Sequence, residues 1–136
     1  SKHGVINLHS GKLPDYRGVM ATFWALLSGD KQLSTSLHFI DDSSIDTGRI
    51  INNSTLAVQR NKSYLWHVLS LYIGGCQLID QAIETLDNGG EIITKNQGSA
   101  GEYYTFPSAE KITEFSTRFG PLYQTSDVVN LLTSLK

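Results

Sequence analysis

The 136-residue sequence holds a single cysteine, Cys76, so no internal disulfide can form. A disulfide scaffold is excluded, and a reducing, cytoplasmic compartment is the simpler expectation. Clustered positive charge is also missing. Eleven lysines and arginines are scattered among thirteen acidic residues, for a formal net charge of −2. Non-specific attraction to a phosphate backbone needs a basic stripe, so a nucleic-acid partner is not expected. No apolar run is long enough to span a bilayer. The most apolar stretch, Leu65 to Ile79, is short and interrupted by His67, Ser70, Gly74, Gly75 and Gln77, so no membrane partner is expected. Ser1 to Leu8 lacks the basic, apolar, small-residue order of a secretory signal. Internal repeats and low-complexity tracts are absent, and no His/Cys spacing or carboxylate cluster suggests a bound metal.

What is present is apolar periodicity. The sequence is 40% hydrophobic, ordinary for a folded chain with a real core. Val5, Ile6 and Leu8 read as a strand over Gly4 to His9, stopped by Ser10-Gly11. Leu13 to Gly18 reads as a loop on its Pro, Asp and Gly content. Met20, Phe23, Trp24 and Leu27 then fall on one helical face, ending near Ser28 to Asp30. Ser34 to Ile40 alternates as a strand, and Gly48 to Val58 reads as another. A long helix is expected over Ser63 to Leu86. Its core stripe would be Leu65, Leu69, Tyr72, Cys76, Ile79, Ile83 and Leu86. Gly74-Gly75 marks close packing or a bend, and Asn88-Gly89-Gly90 a stop. Glu91 to Lys95 suggests a short strand, and Gly98 to Gly101 a flexible loop. Ser108 caps a helix bearing Ile112, Phe115 and Phe119, and Ser126 caps a last short one. Strands alternating with helices make an α/β class with an α-rich C-terminal tail.

Two segments carry the chemistry. The first is Asn7-Leu8-His9-Ser10-Gly11-Lys12-Leu13-Pro14-Asp15-Tyr16-Arg17-Gly18. The second is Phe39-Ile40-Asp41-Asp42-Ser43-Ser44-Ile45-Asp46-Thr47-Gly48. Asn7 and His9 are two apart on a strand and so share a face. Read singly, each segment has an ordinary structural explanation: Asn-x-His as strand residues, Asp-Thr-Gly as a turn, Asp41 and Asp42 as solvated loop. His38 either lines a site or is a satisfied structural histidine. His3 reads as solvated, His67 as a partly buried helix residue and Cys76 as core. Tyr103, Tyr104 and Phe106 offer a stacking platform or simple packing.

Taken together, in this order and spacing, the two segments resemble the paired motifs of the folate-dependent formyltransferases. The resemblance is strong over Val5 to Ile51. It implies a partial formyltransferase-like (Rossmann-like) three-layer sandwich, with a short mixed sheet flanked by helices. Residues 1–96 would be the C-terminal half of the catalytic domain, and 97–136 a helical extension packed on it. It implies transfer of a formyl group from 10-formyltetrahydrofolate to a small-molecule amine. Asn7, His9 and Asp46 would be catalytic. Asn7 would supply an amide N–H to the oxyanion. His9 would donate to it and move a proton. Asp46 would orient the imidazole or hold a proton-shuttling water. Asp41, Asp42, Ser43, Ser44 and Ile45 would bind the folate, and Leu13, Pro14, Gly18, Thr47 and Gly48 would shape the loops.

Two departures stand out. Gly11-Lys12-Leu13-Pro14 replaces the family's Ser-Leu-Leu-Pro, which alters folate packing and the acceptor site. Only Ser1 to Ile6 precede Asn7, so the expectation is a fragment or excised domain with weak or no turnover alone. An exposed sheet edge or the long helix would then suit a homo-oligomer. Among three acceptor classes, an amino-sugar nucleotide fits Tyr16-Arg17-Gly18 and the Tyr-Tyr-Thr-Phe-Pro segment somewhat better than glycinamide ribonucleotide, and methionyl-tRNA is disfavoured. Formyltetrahydrofolate hydrolysis and a catalytically silent half-domain acting through a partner chain remain open alternatives.

Overall fold

The computed structural model describes residues 3–98 and 101–136. In chain order the elements are β1 (Ile6–His9), β2 (Tyr16–Gly18), α1 (Ala21–Leu27), β3 (Gln32–Phe39), β4 (Ile50–Ala57), α2 (Tyr64–Asp87), β5 (Glu102–Tyr104), α3 (Ala109–Arg118) and α4 (Thr125–Ser134). The α/β class holds, and the molecule's parallel and antiparallel pairings lie in two sheets. One is a three-stranded antiparallel sheet, β1-β3-β4; the other is the parallel pair β2-β5.

β3 is the centre of the larger sheet, and every residue from Leu33 to Phe39 is buried. Both its faces are therefore covered, and its polar residues Ser34, Thr35, Ser36 and His38 sit inside the molecule. Buried polar groups must find partners, which places hydrogen-bonding side chains at the heart of the fold. β1 pairs with β3 so that Asn7 faces His38 and His9 faces Ser36. The β3–β4 register shifts between Leu37 and His38, an irregularity of the kind that re-aims a side chain.

Two apolar clusters hold the layers together. The larger gathers Phe23, Leu26, Leu33, Leu71, Phe115 and Phe119, with Phe23 and Phe115 stacked at 4.6 Å between ring centroids. α3 thus contributes to the same core as α1 and β3. The smaller joins Leu37 to Leu78 and Ala82 of α2, with Ile6 and Leu8 against them.

Several sequence expectations are corrected. Tyr16–Gly18, read as loop, is a strand, because its partner Glu102–Tyr104 lies far along the chain and leaves no local trace. The α2 stripe is displaced. The buried line is His67, Leu71, Gly75, Leu78 and Ala82, while Tyr72, Cys76 and Ile83 are exposed. The helix lies so close to the sheet that its contact face includes a glycine, Gly75. A Cβ on Gly75 would sit 2.6 Å from Leu8 Cδ2 and 3.0 Å from Thr35 Cγ2. His67 is wholly buried rather than partly so. Its Nδ1 donates to the Ser63 carbonyl (2.8 Å) and its Nε2 accepts from the Gln59 N–H (3.0 Å). Residues 91–95 contribute only an isolated bridge, Ile50 to Lys95. The N-cap of α4 is Gln124, not Ser126, and it makes no side-chain cap bond. Of the loop expected at Gly98 to Gly101, residues 99 and 100 lie outside the described residues.

Candidate active site

The site forms where β1, β3 and the β3–β4 loop converge. β1 presents Asn7 and His9 on one face, while Ile6 and Leu8 pack toward α2. From β3, His38 stands opposite Asn7, and the Asn7 amide lies 3.1 Å from His38 Nε2. Asp46 arrives from the loop. Its backbone is left-handed (φ 56°), a conformation an aspartate tolerates better than most residues. The turn brings its carboxylate between the two imidazoles. Oδ2 is 3.4 Å from His9 Nδ1, and Oδ1 is 3.4 Å from His38 Nε2. The Gly18 N–H donates to Oδ2 at 2.9 Å. All three ionisable side chains are at most 9% exposed.

The proton positions follow from the fixed acceptors. His9 Nε2 is 2.6 Å from the Tyr16 carbonyl, and His38 Nδ1 is 2.8 Å from the Phe39 carbonyl. A carbonyl only accepts, so both of those nitrogens carry protons. The nitrogens that face Asp46 are therefore protonated only in an imidazolium. Burial pushes the His9 pKa below its ordinary value. The Asp46 charge and the Tyr16 carbonyl work against that, while His38 reinforces it. Burial works to raise the Asp46 carboxyl. It is outweighed by His38, the Gly18 N–H and His9, so the group ionises below its ordinary range. The result is a buried carboxylate flanked by two imidazoles, with His38 Nε2 accepting from the Asn7 amide.

The glycines at the site are steric requirements. Gly18 has φ +94°, and a Cβ there would run into the Tyr104 carbonyl. A Cβ on Gly48 would strike the Phe39 carbonyl. Leu13 is buried, and its N–H donates to Ser36 Oγ at 3.1 Å; Ser36 Oγ in turn donates to the Gly11 carbonyl at 2.7 Å. Ser36 lies opposite His9 on β3 and so ties the loop that contains Pro14 to the sheet.

The acidic loop divides. Asp41 is held by Arg49, whose Nη2 and Nε donate at 2.9 and 3.1 Å and whose backbone N–H adds a third bond. Asp42 accepts from the Ser44 N–H at 2.7 Å, a local turn contact. Ser43, Ser44 and Ile45 are exposed, with Ile45 at 55%. Thr47 Oγ1 reaches the Ser44 carbonyl at 3.5 Å. None of the residues from Asp41 to Ile45 touches His9 or Asn7 through a hydrogen bond. An open cleft of about 210 Å³ borders His9, walled by Leu8, Ser10, Thr22, Tyr64 and Tyr72. Among the described residues, no group of three His, Cys, Asp or Glu is placed to hold a metal ion. No described helix is long and apolar enough to cross a membrane.

Sequence reading left His38 undecided and passed over Ser36 and Gln97. His38 carried one usable signal: it falls on the same face as Ser36 of a strand that leads directly into the acidic loop. Gln97 carried none.

Residues 1–64 match the family model described as formyl transferase. Among curated proteins, the methionyl-tRNA formyltransferase of Flavobacterium johnsoniae is 37% identical over 93 residues, which is 67% of this chain and 29% of that protein. That of Flavobacterium psychrophilum is 30% identical over 134 residues, 97% of this chain and 40% of that protein. The chain thus spans well under half the length of these relatives. Among solved structures, the formyltransferase PseJ from Anoxybacillus kamchatkensis was crystallised with UDP-4,6-dideoxy-4-formamido-L-AltNAc and tetrahydrofolate. It superposes with a TM-score of 0.71 at 25% identity, over 86% of this chain and 61% of that one. An N-formyltransferase from Helicobacter canadensis shares the fold with a TM-score of 0.65 at 20% identity, over 85% of this chain and 47% of that one.

Proposed function

From a chain that belongs to the formyltransferase family, we propose that Asn7, His9 and Asp46 perform formyl transfer from 10-formyltetrahydrofolate to an amine. The observation that carries this reading is the Asp46 carboxylate held between His9 and His38, with Asn7 alongside. The amine nitrogen attacks the formyl carbon, and a tetrahedral oxyanion forms. The bond from that carbon to N10 of the folate then breaks, the amine gives up a proton and N10 gains one. The Asn7 amide donates to the oxyanion. His9 supplies its second donor and relays the proton, with Asp46 stabilising the imidazolium while it lasts. For Nε2–H to reach substrate, the ring must release the Tyr16 carbonyl that now holds it.

Asp41, Asp42, Ser43, Ser44 and Ile45 form the exposed lip proposed to meet the folate, with Arg49 bracing the lip through Asp41. Leu13, Pro14, Gly18, Thr47 and Gly48 shape the loops around it. The acceptor we favour is an amino-sugar nucleotide. The likeness to PseJ supports it, as does a net charge of −2 with no basic stripe to meet a tRNA. The methionyl-tRNA formyltransferases among the relatives make aminoacyl-tRNA the competitor to test. On this reading the chain works in the cytoplasm, with residues 1–96 as the catalytic part and 97–136 as an extension, and it self-associates through the β1 edge or α2. On the same reading the chain, which spans 29% and 40% of two curated relatives, turns over slowly alone.

The test follows tetrahydrofolate release from 10-formyltetrahydrofolate with an amino-sugar nucleotide, with methionyl-tRNA and with no amine. Release that depends on the amino sugar is the expected result, and equal release without amine would mean hydrolysis. Asn7→Ala, His9→Ala and Asp46→Ala should each lower turnover by about a hundredfold or more without changing the fold. Near-normal turnover in any one removes that residue from its role.

A further inference from the structure

Gln97 lies outside the matched residues 1–64, yet it reaches into the turn that presents Asp46. Its Nε2 donates to the Asp46 carbonyl at 2.9 Å and to the Gly48 carbonyl at 2.6 Å. Its Oε1 accepts from Arg17 Nη2 at 3.1 Å and from Nε at 3.4 Å. Both amide protons and the carbonyl oxygen are thus used. The two carbonyls bracket Thr47, in the segment where Asp46 takes its left-handed backbone. Arg17 precedes Gly18, whose N–H holds the Asp46 carboxylate. One side chain therefore links the turn's backbone to the strand that grips its carboxylate. A left-handed backbone at a non-glycine residue persists only where its surroundings over-determine it.

We infer that Gln97 is a positioning residue that fixes the Asp46 turn and thereby keeps the carboxylate between His9 and His38. Its importance for turnover rests on the reading of Asp46 given above; the positioning itself does not. Without the two N–H donors, the Asp46 and Gly48 carbonyls lose their clamp, the turn relaxes and the carboxylate leaves the Gly18 N–H. The groups that face His9 are the Asp46 carboxylate, the His38 ring and the Tyr16 carbonyl. Of these, Gln97 reaches Asp46 directly through its backbone carbonyl, and the Tyr16 carbonyl only through Arg17, the next residue of β2.

Heteronuclear NMR of the full chain tests this without any turnover. In the wild type, the Gln97 side-chain amide protons should exchange slowly. In Gln97→Met, which keeps the length and removes the polar atoms, the Gly18 amide proton should move upfield. The His9 titration midpoint should also fall, in the same direction as in Asp46→Asn but less far. Arg17→Met removes only the guanidinium from Oε1 and should change the His9 midpoint less than Gln97→Met does. The signals of Phe23 and Phe115 report whether the core is intact. An unchanged Gly18 amide and His9 midpoint in Gln97→Met would overturn the inference. So would a wild-type Gln97 amide that exchanges at the solvent rate, a result that needs no variant to fold. Absence of formyl transfer with these signals as expected would sink the proposed function alone.

Discussion

His9 donates Nε2–H to the Tyr16 carbonyl and turns Nδ1 toward Asp46, so its ionic contact exists only when it holds two protons. Burial opposes that state, and the side chain should titrate below its ordinary value of 6.5 in the folded chain. The imidazole carbon-bound proton shifts, followed against pH, check this, and a midpoint above 6.5 would contradict it. Gly18 is the second residue with a sharp expectation. With φ +94° and the Tyr104 carbonyl in the way of a Cβ, Gly18→Ala should cost about 1–3 kcal/mol by chemical denaturation. Asn7, His9 and Asp46 were legible because two short motifs carry them and strand geometry puts the first two on one face. Gln97 was not, since its role depends on a hydrogen bond to a backbone brought close only by folding. The Asp46 turn is likewise tertiary information: aspartate permits a left-handed backbone, but no local signal demands one.

At the scale of elements, α2 shows how periodicity can identify a helix and misplace its face. The expected stripe followed the largest apolar residues. The buried line instead follows His67, Leu71, Gly75, Leu78 and Ala82, because the helix sits close upon β1 and β3. Overpacking that line should push on β1, the strand that bears Asn7 and His9. Gly75→Val should lower stability by about 1–3 kcal/mol and shift the Leu8 methyl signals. The N-terminus of α2 is pinned separately. Ser63 Oγ accepts from the Trp66 N–H at 3.4 Å, and the buried Ser63 N–H donates to Asp127 of α4 at 2.7 Å. Asp127→Ala strands that N–H and should cost about 1–3 kcal/mol, read as a lower denaturation midpoint. Ser126 had the right chemistry for a cap, but the chain assigns its neighbour Asp127 to another helix instead. The strands β1, β3 and β4 were legible, because their patterns are local, but their order was not. Nor was the β2–β5 pair, because parallel partners so distant in sequence share no signal.

For the whole molecule, two buried histidines set the response to acid. His9 and His67 both ionise below 6.5 when folded, each chiefly through burial. Below 6.5 the unfolded chain binds more protons than the folded one, so stability is full above that value and falls as the pH drops toward the folded values. Asp46 behaves differently. Its depressed pKa preserves its contribution above 3.8 and loses it only as the pH falls further. The thermal midpoint should therefore decline on mild acidification, well before carboxylates titrate. His67→Gln should make that decline shallower, since glutamine can still donate to the Ser63 carbonyl and accept from the Gln59 N–H without titrating.

The central claim is that a folate formyl donor meets this chain at Asn7, His9 and the Asp46 loop. The most direct measurement is an NMR titration of the full chain with 5-formyltetrahydrofolate as a stable probe. The account predicts saturable shifts at Asn7, His9 and the amides from Asp41 to Gly48, with weaker binding in Asp46→Asn. Shifts confined to other surfaces, or no saturable shift at all, would contradict it.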